Sequence, residues 1–206
     1  MKKRRKRTPK MRKSKIKRVT KETNIAIELN LDGHGKSDIK TGIGFLDHML
    51  TLFSKHGLFD LKVRAKGDLE VDMHHTNEDV GISLGEAFKK ALGKKEKIRR
   101  YGYSFVPMDE ALANARVVLD ISGRPSLFFK GNTKALPAAV YGIQDAKEFL
   151  KAFSTACGIN MHVDLLRGDD THHAIEALFK ATARAMREAV SIDKRAKGIP
   201  STKGKL

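Results

Sequence analysis

The stretch HHTNEDVGISLGEAFKKAL at residues 74–92 recurs, in altered form, as HHAIEALFKATARAMREAV at residues 172–190. Both copies open with the pattern His-His-x-x-Glu and continue with apolar residues at the spacing of an amphipathic helix. Imidazole and carboxylate groups together are ligands for divalent Mn, Fe, Co, Ni or Zn. One His-His pair is usually an accident of surface sequence. Two copies 98 residues apart (172 − 74) instead predict a duplicated chain, in which each half starts a helix with metal ligands.

Similar patterns surround both copies and divide the chain into two related halves, residues 19–101 and residues 102–197. In the first half, apolar residues within 45–53 predict a helix that ends near Gly57, and alternation within 61–65 predicts a strand. The other predicted elements are a strand at 69–73 after a turn at 66–68, a helix ending near Gly158, strands at 117–121, 127–130 and 159–165, and a helix from each His-His pair onward. This order predicts an α+β fold in which each half is a β-sheet backed by helices, with the halves related by a pseudo-two-fold axis.

The net charge of +17 is concentrated at the N-terminus. Residues 1–18 hold twelve Lys or Arg and no acid, which leaves 29 basic against 24 acidic residues in the rest of the chain, or +5. Such a block predicts a disordered tail. The tail could bind RNA or polyphosphate through counterion release, or be a solvated extension without a partner. It contains no aromatic residue on which a base could stack.

The rest of the composition favours a cytoplasmic protein. Cys157 is the single cysteine and cannot form an intrachain disulfide, which fits a reducing compartment. No apolar run approaches the roughly 20 residues of a membrane helix, so no membrane association is predicted. The basic N-terminus is not followed by the apolar segment of a secretory signal.

Helix geometry limits how each His-His-x-x-Glu segment can bind metal. Residues three or four apart share a helix face, whereas neighbouring residues point about 100° apart. Glu78 can therefore join His74 or His75 around one ion, but both histidines can hardly serve that ion. The same holds for Glu176 with His172 and His173. The spacing thus predicts two metal sites that share ligands from both halves or from neighbouring subunits.

Two further histidines complete a plausible ligand set. His48 lies on the helix before Gly57, and His162 lies on the polar side of the strand at 159–165. Taken alone, His48 is more typical of a half-buried helix histidine, and His162 is as typical of a surface residue as of a ligand. With the two segments they give six His and two Glu, enough for two sites of three His and one Glu. Two open positions in an octahedral shell would suit Mn better than a tetrahedral structural Zn, and would allow catalysis.

Stretches spread over residues 18–206 resemble the imidazoleglycerol-phosphate dehydratase family of histidine biosynthesis. They are RVTKETNI, LDGHGKSDIKTGIGFLDHML, HGLFDL, GDLEVDMHHTNEDVGISLGEAF, PMDEALA, DISGRP, GDDTHHAIEALFKATARA and PSTKGKL. The resemblance implies a duplicated α+β unit that assembles with metal into a 24-subunit shell built from trimers. It also implies a lyase that converts imidazoleglycerol phosphate to imidazoleacetol phosphate and water. Many members carry Asn where this chain has Asp170.

The resemblance also implies roles for residues that composition alone would leave on the surface. Glu22 would reach the substrate as base or proton shuttle, from a neighbouring subunit. Residues 198–206 would order over the bound phosphate. The implied phosphate ligands are Arg100, Arg124, Lys180, Ser201 and Lys203. His56 is assigned to substrate binding as well, although its place at a helix end equally suits a dipole contact.

The implied chemistry fits two Mn(II) ions per active site, with other divalent transition metals possible. Ions on the two ring nitrogens would turn the substrate's imidazole into an imidazolate that expels hydroxide. Two alternatives remain open from the residues alone. One is a di-metal hydrolase on an unrelated fold, and the other is a basic nucleic-acid-binding protein with a metal site.

Overall fold

The computed structural model describes residues 11–109, 111–131, 141–166 and 170–206, and both halves have the same order of elements. The first half contains β1 (Lys13–Val19), β2 (Thr23–Asn30), β3 (Ser37–Lys40), α1 (Gly44–Gly57), β4 (Asp60–Gly67) and α2 (His74–Leu92). The second half contains β5 (Tyr101–Met108), β6 (Ala111–Asp120), β7 (Ser126–Lys130), α3 (Ile143–Cys157), β8 (Asn160–Leu165) and α4 (Thr171–Val190). The predicted duplicated α+β fold is confirmed.

Where the structure describes the chain, each half forms a four-stranded sheet of the same topology. The strand orders are β1-β2-β4-β3 and β5-β6-β8-β7, with the last strand of each sheet parallel to its neighbour and the others antiparallel. A helix connects each parallel pair, as a crossover requires. Along β2 the residues Ile25, Ile27 and Leu29 are buried and the residues between them are exposed, so each sheet has one core-facing side.

The helices lie between the two sheets, and they pack across the halves as α1 on α4 and α2 on α3. A two-fold exchange of the halves converts one of these pairs into the other, because α1 corresponds to α3 and α2 to α4. Glycines allow α2 to approach α3 closely. A Cβ on Gly81 would lie 2.8 Å from the Phe149 carbonyl oxygen, and one on Gly85 would lie 2.5 Å from that of Phe153. One apolar core is therefore shared by both halves.

The helices of the described residues, α1 to α4, all begin at the same end of the molecule. The ring of Phe45, in the first turn of α1, stacks on Tyr141 just before α3 with centroids 5.4 Å apart, and meets the ring of His172 at the start of α4 at 5.0 Å. The Tyr141 hydroxyl donates a 2.9 Å hydrogen bond to Asn77 Oδ1 in the first turn of α2. Both His-His-x-x-Glu segments therefore lie at this end. Within the described part of the chain, no helix is both long and apolar enough to cross a membrane.

The strand predicted at residues 69–73 is wrong. These residues form turns between β4 and α2, where Leu69 and Val71 are 38 and 67% exposed. The backbone N–H of Val71 donates to the carbonyl of Asp68, which closes a turn, and α2 begins at His74. The alternation of apolar and acidic residues arose in a loop without a neighbouring strand, so periodicity alone was misleading.

The end of the basic tail was also predicted wrongly. Lys13–Val19 pairs along its full length with β2, so the disordered tail cannot extend to Arg18 as the sequence suggested. The lysines of β1 point to solvent while Ser14 is buried, and the Ser14 hydroxyl donates to the carbonyl of Ala87 on α2. An alternating strand can thus be hidden inside a run of basic residues. Residues 1–10 lie outside the described part of the chain.

Candidate metal centre and the residues around it

His48, His172 and Glu176 converge at the starts of α1 and α4. His48 Nε2 lies 2.8 Å from Glu176 Oε1, and His172 Nε2 lies 3.0 Å from the same oxygen. The Glu176 side chain is 9% exposed, whereas both histidines are about half exposed. One of these candidate ligands comes from the first half and two come from the second, so the fold brings potential metal donors from both halves together.

Lys180 completes the surroundings of Glu176. One helical turn along α4, its Nζ lies 2.5 Å from Glu176 Oε2. Burial alone would raise the pKa of the Glu176 carboxyl, but hydrogen bonds with Lys180, His48 and His172 lower that pKa to about 2. Glu176 is therefore an ionised acceptor at neutral pH, with both oxygens aimed at cationic or hydrogen-bonding partners.

The geometry of these three side chains suits a divalent transition metal. Their ligand atoms all lie within 4.8 Å of one another, and the described residues contain no other such group of three or more metal-ligating side chains. Donors about 2.1 Å from one ion at right angles would be about 3 Å apart, which is close to the two His–Glu separations. Two imidazoles and a carboxylate are also the donors that Mn, Fe, Co, Ni and Zn accept.

The first His-His-x-x-Glu segment divides its histidines as helix geometry predicts. His74 Nε2 lies 3.4 Å from Glu78 Oε1, four residues on, whereas the His75 ring is turned by 74° and faces the loop after β4. There His75 Nδ1 lies 2.9 Å from Asp68 Oδ2 and 3.9 Å from Glu22 Oε2. The hydrogen bond with Asp68, aided by the nearby acidic charges and opposed by burial, raises the pKa of His75.

The second segment has the same division. The rings of His172 and His173 are inclined at 83°, and His172 turns toward Glu176 while His173 Nε2 lies 3.9 Å from Asp109 Oδ2. Asp170 caps α4, since its Oδ1 accepts a 2.9 Å hydrogen bond from the backbone N–H of His173. Asp170 therefore serves as the N-terminal cap of α4.

The turn that carries Glu22 is anchored to α2. The Thr20 hydroxyl accepts hydrogen bonds from the backbone N–H groups of Glu22 and Thr23. The Thr23 hydroxyl donates to Asp79 Oδ2 at 2.5 Å, and Arg18 Nε donates to Asp79 Oδ1 at 2.9 Å. Glu22 itself remains half exposed beside His75. A buried carboxylate on α2 thus fixes the hairpin that presents Glu22.

His162 does not join the metal centre within one chain. It lies on the outer face of the second sheet, where its ring stacks on Phe128 with centroids 4.6 Å apart. The candidate metal centre lies instead at the starts of α1 and α4. The sequence predicted the exposed, polar side of the strand correctly, but no other predicted ligand lies beside His162 among the described residues.

The residues implied in phosphate binding fall into two groups. Lys180 lies beside Glu176, and His56 lies near it on α1, where burial together with the charges of Lys180 and Arg184 lowers the pKa of His56. Arg100 is far from this group. Its backbone N–H donates to the carbonyl of Ala189, thirteen residues beyond Glu176, which corresponds to about 20 Å along a helix.

Arg100 binds the C-terminal segment at the end of α4 that lies far from Glu176. Its guanidinium donates to both oxygens of Asp120, at 2.6 and 3.0 Å, and to the carbonyl of Pro200 at 2.9 Å. Gly123, next to Arg124, has φ +75° and lies against Leu206. Arg124, Ser201 and Lys203 therefore belong to the end of the molecule opposite the candidate metal centre.

Sequence reasoning missed Asp68 and the contact of His173 with Asp109. The sequence places Asp68 in a predicted turn at residues 66–68 and gives no prediction of a site role for Asp109. The available signal was the density of acids before each His-His pair, but spacing along a loop does not show which carboxylate reaches which imidazole.

These observations define a class: an internally duplicated α+β protein in which α2 and α4 begin with His-His-x-x-Glu segments and His48, His172 and Glu176 form a group that could hold a metal ion. The family model described as imidazoleglycerol-phosphate dehydratase matches residues 41–186. The chain belongs to the imidazoleglycerol-phosphate dehydratase family.

Similar proteins cover nearly the whole chain. The imidazoleglycerol-phosphate dehydratase of Thermoanaerobacter pseudethanolicus is 59% identical over 196 residues, which is 95% of this chain and 100% of that protein. The crystal structure of the Staphylococcus aureus enzyme is similar with a TM-score of 0.77 and 38% identity, over 87% of this chain and 98% of that one. The Pyrococcus furiosus protein, solved in complex with (S)-C348, gives a TM-score of 0.78 and 36% identity over 93 and 100% of the two chains.

Proposed function

We propose that this chain is a metal-dependent hydro-lyase that dehydrates imidazoleglycerol phosphate to imidazoleacetol phosphate in histidine biosynthesis. The observation that carries the proposal is membership of the family, which spans almost the entire chain and includes both His-His-x-x-Glu segments. The convergent His48, His172 and Glu176 support metal dependence.

The proposed metal ligands are six histidines and two glutamates, in two sites of three His and one Glu. They are His48, His74, His75, Glu78, His162, His172, His173 and Glu176. We propose two Mn(II) ions per active site, because open octahedral positions suit Mn, with other divalent transition metals as alternatives. Bound ions would supply Lewis-acid polarisation of the substrate's two ring nitrogens and stabilise negative charge on the ring.

Residues of the protein would then transfer the proton and bind the phosphate. Glu22, half exposed on its anchored turn, would accept the carbon-bound proton beside the imidazole and return a proton to the leaving hydroxide during loss of water. Arg100 and Arg124 offer guanidinium donors to the phosphate, and Ser201 and Lys203 add a hydroxyl and an ammonium. Lys180 and His56 complete the proposed substrate contacts.

The distances support a site built from more than one subunit. Arg100 and the C-terminal segment lie about 20 Å along α4 from Glu176, too far for one small substrate to touch both in one chain. The second sheet also exposes Tyr103, Phe105 and Phe128 on its outer face beside His162, a surface that suits burial against another copy. We therefore propose a homo-oligomer; its 24-subunit size rests on the family resemblance.

A turnover assay tests the reaction and its metal dependence together. Purified full-length protein is stripped with a chelator, and formation of imidazoleacetol phosphate is followed before and after Mn(II) is added. We expect turnover to be lost on stripping and restored by Mn(II). Undiminished turnover in the stripped protein would contradict metal dependence, and absence of product in both states would contradict the reaction itself.

Mixing two inactive variants tests the shared site. His172→Ala removes a metal ligand, and Arg124→Ala removes a phosphate ligand from the opposite end of the chain. If each site takes these groups from different subunits, an equimolar mixture disassembled and reassembled together should recover about a quarter of wild-type activity, since half of each contribution is intact. If one chain supplies both groups, the mixture stays inactive. Each variant reassembled alone is the control.

Truncation tests whether the basic N-terminus is needed for turnover. The deletion should stop at Lys10, because Arg12 bonds both Asp32 and the carbonyl of Val190, and Lys13 begins β1. We expect turnover to be unchanged in the truncated enzyme. A nucleic-acid-binding protein would instead lose affinity for RNA and show no dehydratase activity in either form.

The cytoplasmic location of the protein stays a prediction.

A further inference from the structure

The loop after β4 holds Asp68 firmly against His75. Asp68 Oδ2 lies 2.9 Å from His75 Nδ1, and its side chain is only 18% exposed. Gly67, just before it, has no room for a side chain, because a Cβ there would collide with the Thr76 hydroxyl on α2. The close approach of loop and helix that Gly67 permits fixes the carboxylate beside the imidazole.

The second carboxylate oxygen of Asp68 gains little stabilisation from its surroundings. Asp68 Oδ1 is buried, and it has no hydrogen-bond partner within the described part of the chain. An acid placed for stability would normally satisfy both oxygens. Asp68 is therefore better explained by its contact with His75 than by a contribution to folding.

We propose that Asp68 is the positioning residue that makes His75 a metal ligand. The inference rests on the proposed function, because it takes His75 to bind a metal. By accepting the Nδ1–H, Asp68 fixes the neutral ring in the tautomer whose Nε2 lone pair is free, and holds the ring plane in one orientation. Glu22, 3.9 Å from the same Nδ1, is too far to replace this bond and stays available to substrate.

Metal affinity provides a direct test. Mn(II) binding is measured by competition with a fluorescent chelator on full-length wild type, Asp68→Ala and Asp68→Asn. We expect Asp68→Ala to weaken Mn(II) binding by about 10- to 100-fold, and its turnover to recover when Mn(II) is raised by the same factor. Asp68→Asn keeps an oxygen that can accept the Nδ1–H, so it should stay within about threefold of wild type in affinity.

Asp72→Ala is the matched control. It removes the same charge from the same loop, but Asp72 Oδ1 accepts from the backbone N–H of His74, at 2.7 Å, rather than from an imidazole. We expect it to cost helix stability and to leave Mn(II) affinity within about threefold of wild type. Equal losses of affinity in Asp72→Ala and Asp68→Ala would overturn the proposal, because they would reduce Asp68 to a source of negative charge.

Thermal melting of the metal-free proteins tests whether Asp68 is instead a structural residue. Because Asp68 Oδ1 is unsatisfied, Asp68→Ala should melt within about 3 °C of wild type. A much lower melting temperature, or failure to fold, would make Asp68 a structural residue and overturn the proposal. A wild type that binds no Mn(II) or yields no dehydration product would instead refute the proposed function. A wild type that does both, beside an Asp68→Ala of normal affinity, would refute only the role of Asp68.

Discussion

Replacement of Lys180 by Met should destabilise the metal-free protein measurably at neutral pH. Lys180 Nζ lies 2.5 Å from Glu176 Oε2, and the two side chains are only 13 and 9% exposed. Methionine keeps most of the apolar stem of lysine but removes the charge. Glu176 would then be left nearly buried, with His48 and His172 as its remaining partners.

The magnitude follows from the pKa of Glu176. Folding lowers that pKa from an ordinary 4.5 to about 2, which corresponds to about 3 kcal/mol of stability at neutral pH. Because the folded pKa is depressed, this contribution is complete above about pH 5 and is lost as the pH falls toward 2. Lys180 is one of three groups that lower the pKa, so Lys180→Met should cost between about 1 and 3 kcal/mol at pH 7, and less at pH 3.

Urea unfolding of chelator-treated protein at pH 7 and pH 3, followed by circular dichroism, measures this loss. Lys151→Met is the control, since Lys151 pairs with Glu148 at 3.2 Å but is 64% exposed, and it should cost less than about 0.5 kcal/mol. A Lys180 variant as stable as the Lys151 variant at pH 7 would refute the reasoning. So would a loss that does not shrink as Glu176 is protonated.

Three other predictions concern packing, accessibility and the Glu22 turn. Gly85→Ala should lower the free energy of unfolding by about 1 to 3 kcal/mol, because its Cβ would meet rigid backbone of α3, whereas Gly44→Ala, with no heavy atom within 4 Å of the added Cβ, should not; urea titration compares them. Cys157 should resist a thiol reagent at pH 8 until the protein unfolds, because full burial raises the pKa of its thiol to about 12; rapid labelling of the native protein would contradict this. Asp79→Ala should lower kcat at saturating Mn(II), since the Glu22 turn loses its anchor on α2; unchanged kcat in steady-state assays would show that the turn is held otherwise.

Much of the fold could be predicted because the two halves repeat the same local patterns. The helix ending near Gly57 and the strand at 159–165 followed from periodicity, which burial of one face imposes wherever an element packs on the core. The same rule failed at 69–73, where alternation had no partner strand. It failed again at Lys13–Val19, where basic composition concealed a strand that pairs with β2.

Part of the candidate site could be predicted because it depends on the local geometry of a helix. Divergence of His74 from His75 depends only on the 100° step of a helix, and the structure confirms it. The approach of His48 to His172 depends on the packing of α1 on α4, and the contact of Asp68 with His75 depends on the path of a loop. Neither is encoded in the spacing of residues along the chain.

The chain itself determined the duplication, the start of each half's last helix at a His-His pair, and the kinds of metal donor present, since all three follow from local periodicity and side-chain chemistry. Tertiary packing alone decided that, in the described part of the chain, α1 to α4 start at one end, so that candidate ligands from both halves meet there. It also decided that Arg100 and the C-terminal segment lie at the opposite end. The physical reason is that such contacts join residues far apart in sequence, and only the docking of two sheets around one shared core brings them together or keeps them apart.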